Sequence, residues 1–279
     1  MSKETEIIVE KVAEETAKLI PEIYEDGLKP SVQEVGGVIA TLFGLVNHVL
    51  LYKPKTWITM YKLKAQKFEE DYKKRIDLIP EENKGNPDIN VIGPLLESLK
   101  YNLDEDEIRE MFLNLLVNSI DNRTSSKVHP SFVSIVSRMN SVDAIILKGL
   151  YNKYNGNYIK SSKINITIIG SNQYYSNALP EWIIEDEFIN ISIFELSESL
   201  IRLQNFGIIT LMFDRSAGES NIDIHSNKKE VQDIFNKYKL YKNPSIELKG
   251  TDCIIYINDF GKKFSQIVLS WYRFLISHY

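Results

Sequence analysis

Apolar residues recur along the first half of the chain at steps of three and four, the period of a helix that buries one face. Ile8, Val12, Thr16, Leu19 and Ile23 share a face of a helix over 5–25, which Pro21 interrupts and Asp26-Gly27 with Pro30 ends. Ser31-Val32-Gln33-Glu34 has the form of a capping box and opens a second helix, which runs to Leu51 and stops before Pro54. A third helix, over 57–79, sets Trp57, Met60, Tyr61, Ala65, Phe68, Tyr72 and Ile76 on one side and charges on the other. Turn residues make 80–90 a loop. Pro94 fits the first position of a helix over 94–101. Asp104 reads as the cap of the next helix, with Ile108, Met111, Phe112, Leu115 and Leu116 inward and Glu105, Asp106 and Glu107 in its first turn. Pro130 opens a short helix to Met139, and Ser141 caps another.

The texture changes after about residue 155. Ile164, Ile166 and Ile168 alternate with polar residues over 158–169, as in a strand. Ser192-Ile193-Phe194-Glu195 is a second capping box, opening a helix whose inner face is Leu196, Leu200 and Leu203 and which Gly207 ends. A strand is predicted over 208–213, a surface helix over 227–240, a strand or strand pair over 245–258, and an amphipathic helix over 259–277. A helix running through Leu203, Phe206 and Gly207 into the strand Ile208-Ile209 resembles the third helix and first wing strand of a winged helix. The entry into Asp259-Phe260-Gly261 resembles the end of the wing. The expected fold is therefore mainly α. An all-helical domain over 1–140 is followed by an α+β winged-helix-like domain over 141–279, with insertions near 160–190 and 215–250.

Composition adds limits. The chain has 279 residues, 43% hydrophobic and 25% charged, enough to bury a core without a disulfide or metal. Its single cysteine, Cys253, lies in an apolar run and reads as an inert buried thiol. One cysteine rules out an internal disulfide, which fits a reducing compartment and an expected cytoplasmic location. The polar, acidic N-terminus does not read as a secretory signal. A net charge of −5 disfavours general nucleic-acid binding. The 192–206 helix makes the same point locally: it carries Glu195 and Glu198 against one basic residue, Arg202, the one candidate for a nucleic-acid contact.

Residues with candidate chemistry are few. His129 stands before Pro130 at a helix start, where a capping role outweighs a catalytic one with Asp121 or Asp143 as partner. His48, His225 and His278 have no metal-ligand spacing, and the chain has no phosphate loop, nucleophile elbow or Cys–His pairing. No cofactor or catalytic residue is expected, and Glu185, Asp186 and Glu187 read as a solvated loop. The segment 36–52 is more informative. It is apolar on nearly all sides, Gly37 and Gly44 allow close backbone approach, and it contains Val46, Asn47 and His48. Five lysines then follow with no acid before Glu69: Lys53, Lys55, Lys62, Lys64 and Lys67. At seventeen residues the run falls short of the ~20 needed to span a bilayer, so burial in the protein is the plainer reading. The sharper one is that it becomes exposed and inserts at the inner membrane face, with the lysines among anionic headgroups.

Four stretches together resemble the abortive infection alpha family of bacteria. They are 26–51 with Pro30 and Gly36-Gly37; Pro94-Leu95-Leu96-Glu97 followed by the acidic helix 104–118; His129-Pro130-Ser131-Phe132 leading into the 141–147 helix; and 203–208 with Phe260-Gly261. The segment around His129, Pro130 and Phe132 is the most specific. Departures are the long insertion before residue 250 and Asn258 in place of the family's frequent threonine. The resemblance implies defence against bacteriophage, in which infected cells stop growing or die, and the lack of a catalytic motif makes a non-enzymatic role the expectation. The partner would be a protein, a further copy of the chain, or the inner membrane surface. The alternative is a winged-helix regulator that binds DNA or a partner protein.

Overall fold

A computed structural model describes residues 31, 33, 35–37, 55–154, 157–213, 221–241 and 245–269. The predicted helix over 5–25, most of the one after Ser31, and the segment holding Gly44, Val46 and Lys53 lie outside the described residues. The described chain is predominantly helical, with one antiparallel sheet. It divides into two compact units, the first through Ser141 together with the chain from Gln266 onward, the second from Val142 to Ser265.

The first unit is built on α1 (Lys55–Asp77), α2 (Ile89–Asn102), α3 (Asp106–Ile120) and α4 (Pro130–Val136). On α1 the inward residues are Tyr61, Ala65, Phe68, Tyr72 and Ile76, the spacing that places side chains on one stripe. Met60, read from sequence as inward, is 57% exposed, because it falls outside that stripe. On α3, Ile108, Phe112, Leu115, Leu116, Val117 and Ile120 have no exposed surface, each contributing about 1.5–3 kcal/mol of burial. Two polar residues on the same helix are buried with partners. Asn114 and Asn118 donate through Nδ2 to the carbonyls of Val268 and Ile267, at 2.8 and 3.1 Å. These asparagines hold the end of the last described helix within the first unit.

Two helix starts differ from the sequence reading. Asp88, not Pro94, begins α2: its side chain accepts from Asn90 N–H, and Pro94 sits inside the helix. Helix α3 is capped at Glu105 rather than Asp104, without a side-chain cap bond. The Glu105 carboxylate is occupied elsewhere, accepting the backbone N–H and hydroxyl of Ser141 at 2.7 and 3.0 Å.

The second unit contains α5 (Ser141–Tyr154), β1 (Ile159–Ile168), β2 (Tyr174–Tyr175), β3 (Ile183–Ile184), α6 (Ile193–Asn205), β4 (Ile209–Phe213), α7 (Asn221–Ser226), α8 (Lys229–Tyr241), β5 (Ile246–Ile257) and α9 (Asp259–Leu269). Helix α9 crosses into the first unit. Strand order is β2-β1-β5-β4, all antiparallel, with β3 also on β1. β1 and β5 pair over ten residues, from Ile159 with Ile255 to Ile168 with Ile246. The helix predicted over 227–240 is α8, while the short strands β2 and β3 and the short helix α7 were not foreseen. Gly207 ends α6 as expected, at φ 74°. Gly261 has no room for a side chain, since a Cβ there would lie 2.0 Å from the Ile208 carbonyl oxygen.

Candidate functional site

Strand alternation puts Ser162, Ile164, Ile166 and Ile168 of β1 on one face of the sheet. Their register partners on β5 are Asp252, Gly250, Leu248 and Ile246. One end of this face is apolar. Ile164, Ile166 and Ile246 pack with Val231, Ile234, Phe235 and Tyr238 of α8. The other end is polar, and α7 covers it.

Hydrogen bonds run through that contact. Asn221 and His225, one helical turn apart on α7, are both fully buried, while Ile224 between them is 40% exposed. Ser162 Oγ lies 2.7 Å from His225 Nδ1. Asp252 Oδ1 accepts the backbone N–H groups of Asn221 and Ile222 at 2.8 and 3.2 Å, closing the start of α7. Asn221 Nδ2 donates to the carbonyls of Ser161 and Cys253. Two atoms are left over: His225 Nε2 and Asn221 Oδ1 are buried without a hydrogen-bond partner. Burial pulls the His225 pKa down from 6.5 to about 4, Lys228 and Lys160 pull the same way, and Asp252 opposes them. The imidazole is therefore neutral near pH 7.

A neutral imidazole against a serine hydroxyl is the pairing from which general-base activation of a nucleophile is built. Here Ser162 and His225 are both fully buried, with no surface open to a substrate. The arrangement is thus a polar dock for α7. Cys253 is buried as expected, and its thiol lies 3.6 Å from the Thr251 carbonyl oxygen. Among the described residues no group of three or more His, Cys, Asp or Glu could hold a metal ion. A cavity of about 280 Å³ lies nearby. Phe188, Ile193 and Leu196 form its apolar wall, and Lys228 and Glu187 on its rim pair with each other at 3.5 Å.

The residues singled out from sequence do not converge on this cluster. His129 is the N-cap of α4: Nδ1 accepts Ser131 N–H at 3.1 Å and lies 2.7 Å from its hydroxyl. Pro130 follows at the first helical position, and the buried Phe132 sets its ring centroid 6.2 Å from that of the histidine, tilted by 55°. The carboxylates considered for His129 have other partners. Asp121 binds Arg123 at 2.6 Å, and Asp143 binds Arg202. Arg202 is accordingly committed: its Nε and Nη2 donate to the fully buried Asp143 carboxylate at 3.0 and 2.9 Å, and Glu198 lies 3.8 Å away. Asp186 is not solvated as predicted. Its side chain is 10% exposed and accepts from Tyr154 Oη at 2.6 Å and from Lys153. Gly37 is helical and exposed, Lys55 starts α1, Lys62 is exposed, and Lys64 reaches Asp104 at 3.6 Å. Asn258, the departure from the family's threonine, caps α9 by accepting Gly261 N–H, and its Nδ2 donates to the Gly207 carbonyl and to Thr210 Oγ1.

Sequence reasoning missed Ser162, Asn221, His225 and Asp252. The one local sign was Asn221 and His225 four residues apart, which is too common to mark a site. Compared with known families, the chain matches the model described as abortive infection alpha over residues 60–268. No curated protein and no solved structure matches it.

Proposed function

The chain belongs to the abortive infection alpha family, and on that premise we propose that it is a non-enzymatic antiphage defence protein that acts from the cytoplasm on the inner membrane face. The family match carries the defence reading, and suggests abortive infection as its form. The closed Ser162–His225 pair supports a mechanism without catalysis, because its hydroxyl is offered to α7 and not to solvent. The helical N-terminal part is the effector and the C-terminal part the sensor or lock.

A winged-helix reading of the C-terminal part draws support from element order. Helix α5 leads into β1, α6 leads into β4, and β5 lies between β1 and β4, with α7 and α8 inserted between the two wing strands. A regulatory winged helix is the second reading, and the observation in its favour is this order. Protein is its better target, since α6 presents Phe194, 40% exposed, and keeps Arg202 on Asp143. No described helix is long and apolar enough to cross a membrane. The membrane action therefore rests on the segment 36–52 and the lysines after it.

The test is plating efficiency of a broad phage panel on a host that makes the protein, beside Val46→Asp. Reduced plating of at least one phage, lost in a folded Val46→Asp variant, supports defence through that segment. Normal plating of the whole panel on cells containing folded protein overturns the defence reading. Reduced plating that survives Val46→Asp overturns the insertion step alone.

A further inference from the structure

Charge and exposure change character halfway along α1. In its second half, from Glu69 on, each basic side chain is paired: Lys73 with Glu69 at 2.6 Å, Lys74 with Asp71 at 3.5 Å, and Arg75 with Glu110 at 2.6 Å. In the first half no acid is available, because none occurs from 35 to 68. Lys64 finds Asp104 and Asp106 at 3.6 and 3.8 Å. Lys67 acts on Asp106 only at longer range, and neither it nor Lys62 forms an ion pair among the described residues. On the same part of the helix two large apolar side chains face water, Met60 and Leu63, each 57% exposed. At the helical period Leu63 sits at the middle of the solvent-facing arc, opposite the Tyr61–Phe68–Tyr72 stripe, with Lys62 and Lys67 on either side.

This is a short apolar ridge between two long, flexible, unpaired cations. Lysine is a compact point charge with no preferred planar partner, which suits a dense layer of mobile anions better than a fixed carboxylate. Its four-carbon stem also lets the ammonium stay in the headgroups while neighbouring apolar groups enter below them. We propose that this arc of α1 docks on an anionic phospholipid bilayer, Met60 and Leu63 entering the interface and Lys62 and Lys67 meeting headgroup phosphates. The inference deepens the membrane part of the proposed function and rests on it, but it uses a different surface from the segment 36–52.

Flotation of the full chain with vesicles of phosphatidylcholine alone, or mixed with phosphatidylglycerol, tests it. Wild-type protein floats with the mixed vesicles, less so as salt rises, and stays behind with pure phosphatidylcholine. Lys62→Glu with Lys67→Glu lowers the partition coefficient by about thirtyfold or more. Met60→Ser with Leu63→Ser also weakens binding and leaves its salt dependence in place. All four side chains are solvent-facing, so unchanged circular dichroism and thermal midpoint are expected of both variants. No binding to mixed vesicles, or equal binding by wild type and the charge-reversed variant, overturns the proposal. So does lysine-dependent binding to polyglutamate with none to mixed vesicles, which would make the surface a protein dock. Loss of vesicle binding in Val46→Asp, with none in the charge-reversed variant, removes α1 and leaves the insertion reading standing.

Discussion

Helices α3 and α7 are both docked on neighbouring elements, and they are docked by opposite means. α3 buries an apolar surface headed by Phe112, Leu115 and Leu116, and its two inward asparagines have carbonyl partners. α7 turns Asn221 and His225 inward, leaves one polar atom of each unpaired, and shows Ile224 to solvent. Apolar burial is gained only in the folded state. A polar contact exchanges hydrogen bonds to water for hydrogen bonds within the protein at a net gain of about 1 kcal/mol each, reduced by every group left without a partner. The first helix is held mainly by apolar burial, the second largely through polar groups. The same contrast runs along β1, where α8 covers isoleucines and α7 covers Ser162.

The largest effect expected is on the apolar side. Phe112→Ala removes a fully buried ring and should lower unfolding stability by about 3–5 kcal/mol in urea titration. A loss near 1 kcal/mol would mean that α3 does not anchor the first unit. Arg202→Ala comes next. It takes the guanidinium from a fully buried carboxylate, Asp143, and should cost about 3 kcal/mol. Retention on DNA should not change, and a large drop there would show that Arg202 reads nucleic acid.

The α7 dock should carry a pH signature. His225 has a folded pKa of about 4 against 6.5 in the unfolded chain, so above 6.5 both states are neutral and its contribution is complete. As pH falls from 6.5 towards 4 the unfolded chain takes the proton first, and stability declines by at most about 3 kcal/mol. His225→Gln should flatten that slope in unfolding curves recorded across the window; an unchanged slope would place its origin elsewhere. The smallest effect is local. Ser192→Ala removes the hydroxyl half of the α6 capping box, the oxygen that accepts Glu195 N–H, and should cost about 1 kcal/mol. Hydrogen exchange should show the loss confined to the first turn of that helix.

Features written in local spacing were readable from sequence. The period of Ile108, Phe112 and Leu115, the capping box at Ser192 and Glu195, and the helix stop at Gly207 all depend on residues within a turn or two of one another. Helix starts were less readable, because Asp104 is the better cap on paper and yet Glu105 takes the position. The deciding fact, Ser141 drawing the Glu105 carboxylate, lies 36 residues away. The polar dock was not readable at all. Ser162 and His225 are 63 residues apart, and α7 buries its polar side, the reverse of the rule by which a helix face is recognised. The exposed lysines of α1 were visible as a charge run, but which of them were free depended on where Asp104 and Asp106 came to lie.

The defence reading is tested most directly by survival of host cells infected at high phage multiplicity, scored together with the phage they release. The account predicts that cells making the protein die early and release few phage, while at low multiplicity the culture survives. Infected cells that die on the normal schedule with a normal phage yield, while containing folded protein, would contradict it.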